Sequence, residues 1–125
     1  MTMKRAFFVL NLALISGLVL SACDGDEGGE GSCNEQESNR VDTILSLGGD
    51  ETTGADTFTT TCGSSGCHGS DGDSGPGPHL SNEIPEFTVD GLTCLLLTGY
   101  DDMPSQASLS DQQLADVVAY VQGNF

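Results

Sequence analysis

Sixteen consecutive residues near the middle of the chain, 63–78, hold six Gly, two Pro and no large apolar side chain. Such a stretch has no face to bury as a helix or strand. A loop this long inside a compact domain is usually functional. At its head stands Cys62-Gly63-Ser64-Ser65-Gly66-Cys67-His68, which places two thiols and an imidazole close together. The chain's 125 residues allow one domain. With 17 Gly and no Trp it buries only a modest apolar core, so a cofactor or a crosslink is expected to help it fold.

Two Cys followed at once by His is the c-type haem attachment pattern. Each thiol adds to a haem vinyl group as a thioether, and the adjacent His is held under the iron as an axial ligand. The usual spacer is two residues, and here it is four. The extra Gly and Ser can bulge outward and leave both sulfurs near the vinyls. The competing reading is a Cys62–Cys67 disulfide with His68 on the surface. A zinc site needs more ligands than this segment supplies.

The N-terminus reads as an export signal over residues 1–22. Lys4 and Arg5 precede an apolar run, 6–20, broken only by Asn11, Ser16 and Gly17. That run is shorter than the roughly 20 residues of a membrane-spanning helix. It ends in Leu20-Ser21-Ala22-Cys23, which resembles the lipobox of bacterial lipoproteins. The resemblance implies cleavage before Cys23 and acylation of that residue, a stable membrane anchor. An ordinary signal peptide with a coincidental Cys is the plainer alternative. Residues 23–40 follow as an acidic, glycine-rich, flexible tether. From Cys23 onward 19 acidic side chains face one Arg, a formal charge of −18. A chain so acidic is a poor nucleic-acid binder.

Residues 41–125 read as one all-α domain of short helices. Residues 41–47 are too short to assign as a helix and are expected to dock as a turn or extended piece. Residues 50–62 form a weak helix candidate, capped by Asp50 or Thr52, with Gly54, Phe58 and Cys62 on one face. Residues 88–98 carry a stripe of Val89, Leu92, Leu95 and Leu96, ended by Gly99. The strongest helix opens at Ser110-Asp111-Gln112-Gln113, a capping box, with Leu109 and Leu114 as its hydrophobic staple. Leu114, Val117, Val118 and Val121 continue it, and Gly123 is expected to end it.

Residues 54–125 resemble the class I, mitochondrial-type cytochrome c family. Gly54, Phe58 and Cys62 match the family's N-terminal helix, and residues 114–121 look like its terminal helix, with Val117 and Tyr120 at the contacting positions. His68-Gly69 followed by Gly77-Pro78-His79-Leu80 resembles the segment after the family's haem motif. The resemblance implies that the Pro78 carbonyl accepts a hydrogen bond from His68, that Leu80 packs on the haem, and that Met103, before Pro104, is the sixth iron ligand. Seen alone, Met103 is a gap-filling core residue. His79 lies too near the proximal side to replace it.

The expected molecule is therefore a monohaem c-type cytochrome with one covalently attached haem c, an electron carrier and not an enzyme. It is expected on the periplasmic side of the bacterial cell envelope, anchored by lipid, meeting redox proteins with basic surface patches. Two other readings stand beside it: a five-coordinate, ligand-binding or sensory haem protein, and a haem-free lipoprotein stabilised by disulfides. Once lipid and haem are assigned, Cys33 and Cys94 remain, and export favours their pairing. The alternative is a buried thiol at Cys94 and an idle Cys33.

Overall fold

A computed structural model describes residues 32–125, so the expected signal peptide, Cys23 and the first part of the expected tether lie outside the described residues. The elements are α1 (Glu35–Leu47), α2 (Glu51–Thr61), α3 (Leu80–Glu83), a 3₁₀ turn (Ile84–Glu86), α4 (Val89–Thr98) and α5 (Asp111–Asn124). The described residues contain no β-strand beyond an isolated bridge between Tyr100 and Met103. None of their helices is long and apolar enough to cross a membrane.

The domain boundary differs from the expectation. Residues 35–40, read as the end of a flexible tether, and 41–47, read as a turn or extended piece, form one helix. A capping box starts it. The Glu37 amide donates to the Asn34 side chain at 3.0 Å, and the Asn34 amide donates to Glu37 at 2.8 Å. Glu35 and Glu37 lie in the first turn, where the helix dipole favours negative charge. Val41 and Ile44, three positions apart, are the buried face. Just before the helix, Cys33 forms a disulfide with Cys94 on α4, their Cα atoms 5.7 Å apart. With a sequence separation of 61, that crosslink contributes about 4 kcal/mol in the chain-entropy account.

Asp50 caps α2 by accepting from the Thr53 amide at 2.8 Å. Six Thr in this helix lower its intrinsic propensity. The hydroxyls of Thr57, Thr59 and Thr60 bond back to carbonyls one turn earlier, which satisfies them in place. α5 opens with the Ser110–Gln113 capping box. It continues past Gly123 to Asn124, so that glycine does not end it. A Cβ at Gly123 would come within 2.9 Å of the Glu51 carboxylate, so the residue serves close packing and not termination.

The main helix contact is α2 across α5. It is made where side chains are missing. Gly54 lies directly on the Asp116 carbonyl, and Gly49 lies on the backbone of Ala115. Phe58, Tyr120 and Phe125 close one side of the crossing as a cluster of tilted and edge-on rings, with centroids 5.4 to 6.1 Å apart. Asp116 is buried, and its carboxylate accepts from the Asp50 amide at 2.9 Å and the Gln112 amide group at 2.8 Å. The Asp50 bond fixes the start of α2 to the middle of α5, and the Gln112 bond, within α5, holds the carboxylate in place.

Replacing Gly by Ala inside a helix ordinarily gains up to about 1 kcal/mol. At Gly54 the added methyl has no space, so overpacking should outweigh the gain. Gly54→Ala is expected to be destabilised by about 1–3 kcal/mol, read as a lower thermal midpoint by circular dichroism. A raised midpoint would contradict the close crossing.

Candidate functional site

The helix that ends at Thr61 delivers Cys62 as its C-cap. From there the chain folds on itself through backbone hydrogen bonds. The Ser64 carbonyl accepts from both the Cys67 and Gly69 amides at 3.0 Å, and the His68 amide donates to the Cys62 carbonyl at 3.1 Å. Ser64, Ser65 and Gly66 are exposed, while Cys62, Gly63, His68 and Gly69 are buried. The four-residue spacer therefore forms an outward bulge. Gly69 and Gly72 take left-handed φ values of 81° and 78°, which a glycine adopts without strain.

The rest of the loop wraps His68. Its carbonyl accepts from the Gly75 amide at 3.0 Å, and the Gly77 amide reaches the Cys67 carbonyl at 2.8 Å. A Cβ on Gly77 would sit 3.1 Å from the imidazole Nδ1, so only glycine lets the strand of loop lie on the ring. The imidazole is 9% exposed, and its Nδ1–H donates to the Pro78 carbonyl at 3.0 Å. This bond sets the ring's orientation and tautomer and leaves Nε2 with the lone pair that a metal would take. Asp71 and Asp73 hold the outer turns, accepting from the amides of Ser74 and Ser81.

Met103 arrives from the other side of the sequence. Tyr100 and Met103 exchange amide–carbonyl bonds of 3.0 and 2.8 Å around a tight turn, with Asp101 at a left-handed φ of 47°. Gly99, at φ 76°, lies against the Met103 carbonyl, where a Cβ would approach to 2.6 Å. Pro104 follows. The Ser105 hydroxyl and the Gln106 amide then tie the chain back to the carbonyls of Leu97 and Leu96.

These segments enclose one cavity of about 670 Å³. Cys62, Cys67, His68, Pro78, Leu80 and Met103 all line it. His79 is not among its lining residues; it is the N-cap of α3. The volume lies within the range of roughly 300–1,000 Å³ usual for small-molecule and cofactor pockets. Apolar walls come from Leu92, Leu95 and Leu96 on α4 and from Val117 and Val121 on α5, with Phe58 of α2 between the thiols and the core. Ile84, the first residue of the 3₁₀ turn, and Phe87, its C-cap, are further lining residues that sequence reasoning missed. Their three-residue spacing across Pro85 is the signal that would have found them. The charged lining is acidic: Glu83, Asp101 and Asp102.

Burial, and next the neighbouring Cys67, pushes the Cys62 thiol up to about 11. It is thus held as a neutral thiol on an apolar wall. Two free thiols, an imidazole with a fixed tautomer and a thioether on one largely apolar cavity suit a flat apolar macrocycle with a central metal. Nitrogen and sulfur donors of this kind are those that hold haem iron.

The family model described as cytochrome c oxidase, cbb3-type, subunit III matches residues 49–121. The chain belongs to that family. Searches of curated proteins and of solved structures find no significant match. As a c-type cytochrome the protein carries covalently bound haem c and transfers electrons; it is a carrier and not an enzyme. The all-α architecture agrees with a small cytochrome c-like fold.

Three carboxyls in this framework are held below their usual value of 3.8 by hydrogen bonds to their ionised forms: Asp50 by Thr53, Asp71 by Ser74 and Asp73, and Asp73 by Ser81. A depressed folded-state value favours the fold above 3.8, and the gain is lost as pH falls through the depressed values. The thermal midpoint should therefore fall with acidification below pH 3.8. Asp71→Asn should show a shallower fall, because its share of the linkage is gone. An unchanged slope would place the acid sensitivity elsewhere.

Proposed function

We propose that this chain is a class I, monohaem c-type cytochrome, anchored by lipid at Cys23 on the periplasmic side of a bacterial envelope and working as a one-electron carrier there. Haem c supplies the Fe(III)/Fe(II) couple. Cys62 and Cys67 would both form thioethers to it despite the widened spacer. His68 would hold the iron from one side through Nε2 and Met103 from the other. Pro78 would orient the imidazole, and Leu80 would pack on the macrocycle. The observation that carries this reading is the buried His68 imidazole, turned by the Pro78 carbonyl, on the same cavity as both thiols and Met103.

An apolar pocket and a Met ligand favour the reduced iron and raise the potential. The acidic rim acts in the opposite sense, but exposed charge is screened within about 10 Å at 0.1 M salt. Redox proteins with basic patches are the partners that suit so acidic a carrier. Charge complementarity would speed their encounter more than it tightens the complex. The Leu20-Ser21-Ala22-Cys23 run and the acidic segment behind it support the lipid anchor.

A pyridine haemochrome spectrum of the exported protein, with intact mass, should report one haem and two thioethers. Haem extracted by acid–acetone would refute covalent attachment, and a spectrum of one saturated vinyl would leave one Cys free. Met103→Ala should keep the haem attached, abolish the weak sulfur-to-iron band of the ferric protein, lower the potential and admit carbon monoxide. An unchanged spectrum would point to another distal ligand.

Cys23→Ala should release the protein from membranes in high salt while leaving its visible spectrum unchanged. Continued membrane binding would place the anchor elsewhere.

A further inference from the structure

α1 lies outside the residues that the family model matches, which begin at 49. It is nevertheless fastened to the domain at two distant places. At its head, Cys33 is bonded to Cys94 on α4. One and a half turns into the helix, Arg40 spreads its guanidinium over three acceptors. Nε donates to the Asp111 carboxylate at 2.8 Å, and the two terminal nitrogens donate to the carbonyls of Ala107 and Leu109 at 3.0 Å. The planar fork of Arg is suited to such convergent acceptors in a way a point charge is not.

The two fastening points flank one segment. Cys94 precedes it on α4, and residues 107–111 follow it at the entry to α5. Between them runs the turn that carries Met103. Inside the segment the bonds are local or reach back only to α4: Tyr100 with Met103, Gly99 with Leu95, Thr98 with Cys94, Ser105 with Leu97 and Ala107, and Gln106 with Leu96, Pro104 and Leu109. Asp101 sits in a left-handed conformation that costs a non-glycine residue energy, so the turn needs outside support. Val41 and the fully buried Ile44, just beyond Arg40, seat the second half of α1 on the core.

We infer that α1 is a brace for the distal loop. Cys33, Cys94 and Arg40 are positioning residues that act through the backbone on both sides of Met103 and keep its sulfur directed into the cavity. This rests on the reading of Met103 as the sixth ligand. The part-buried ion pair with Asp111 still faces solvent on one side and alone would be worth little. The two hydrogen bonds from a charged donor to backbone carbonyls are the stronger part.

The test uses the full-length, haem-loaded protein. Arg40→Gln and the double variant Cys33→Ser/Cys94→Ser should each keep covalent haem and helical circular dichroism at 25 °C. Each should weaken the sulfur-to-iron band and speed carbon monoxide binding in the ferrous state, by about tenfold for Arg40→Gln, the factor expected from losing one charge-assisted hydrogen bond. Arg40→Lys, which keeps the charge without the fork, should fall between Arg40→Gln and the parent. Val118→Ala, which removes buried apolar volume from α5 at a residue that does not line the cavity, is the control for general loosening and should leave the carbon monoxide rate near that of the parent.

A folded Arg40→Gln with an unchanged band and rate overturns the brace. So does a Val118→Ala that binds carbon monoxide as fast as Arg40→Gln, since that would be loss of stability alone. A parent protein that lacks the band and binds carbon monoxide freely removes Met103 ligation first, and the brace with it. A parent that shows the band leaves the brace to stand or fall on its own variants.

Discussion

Everything in this domain hangs on two helices meeting without side chains between them. Gly54 and Gly49 let the backbone of α2 rest on that of α5. Because the helices are so close, Phe58 is driven under the cavity and Val117 and Val121 become part of its wall. The same contact sets where α2 ends, and so where Cys62 is presented. A bulkier residue at the crossing would move the thiol, the aromatic cluster and the cavity floor together. The buried Asp116 carboxylate gives the crossing a fixed register, since its acceptors meet donors from both helices.

The loop that follows gets its shape from polar chemistry. It has almost nothing apolar to bury, yet carbonyls and amides pair across it, and two carboxylates satisfy its outer turns. Its glycines permit the left-handed turns and allow backbone to lie against the imidazole. The result is a rigid holder for one ring. Apolar side chains from α2, α4 and α5 face that ring's cavity and are matched by a haem that is apolar over most of its surface.

The parts legible in the sequence were those with local rules. Ser110 to Gln113 carries the signature of a helix start, and the structure has that capping box. The spacing of Gly54 and Phe58 identified the face of α2 that meets α5, and Gly99 marked the end of α4. The cavity gathers the six residues singled out as cofactor contacts. α1 was not legible, because its polar, acidic beginning looks like the acidic, glycine-rich sequence before it and only Val41 and Ile44 are buried. Asn34 and Glu37 formed a capping box that went unread. Gly123 misled in the other direction: a glycine near a helix end looks like a terminator, whereas here it makes room for a neighbouring side chain. Ile84 and Phe87 were missed because their three-residue spacing across Pro85 is a single pair, with no repeat to strengthen it.

Arg40 is the only Lys or Arg after Arg5, and it is engaged inside the fold with Asp111 and two carbonyls. The outer surface is therefore left with charge of nearly one sign. Two copies of the domain repel each other at low ionic strength, and the repulsion weakens as salt screens it. Electron self-exchange between reduced and oxidised copies is accordingly slow in dilute salt and quickens with added salt, the reverse of the dependence expected for exchange with an oppositely charged protein. By tying its one cation inward, the domain makes itself a poor conductor to its own kind.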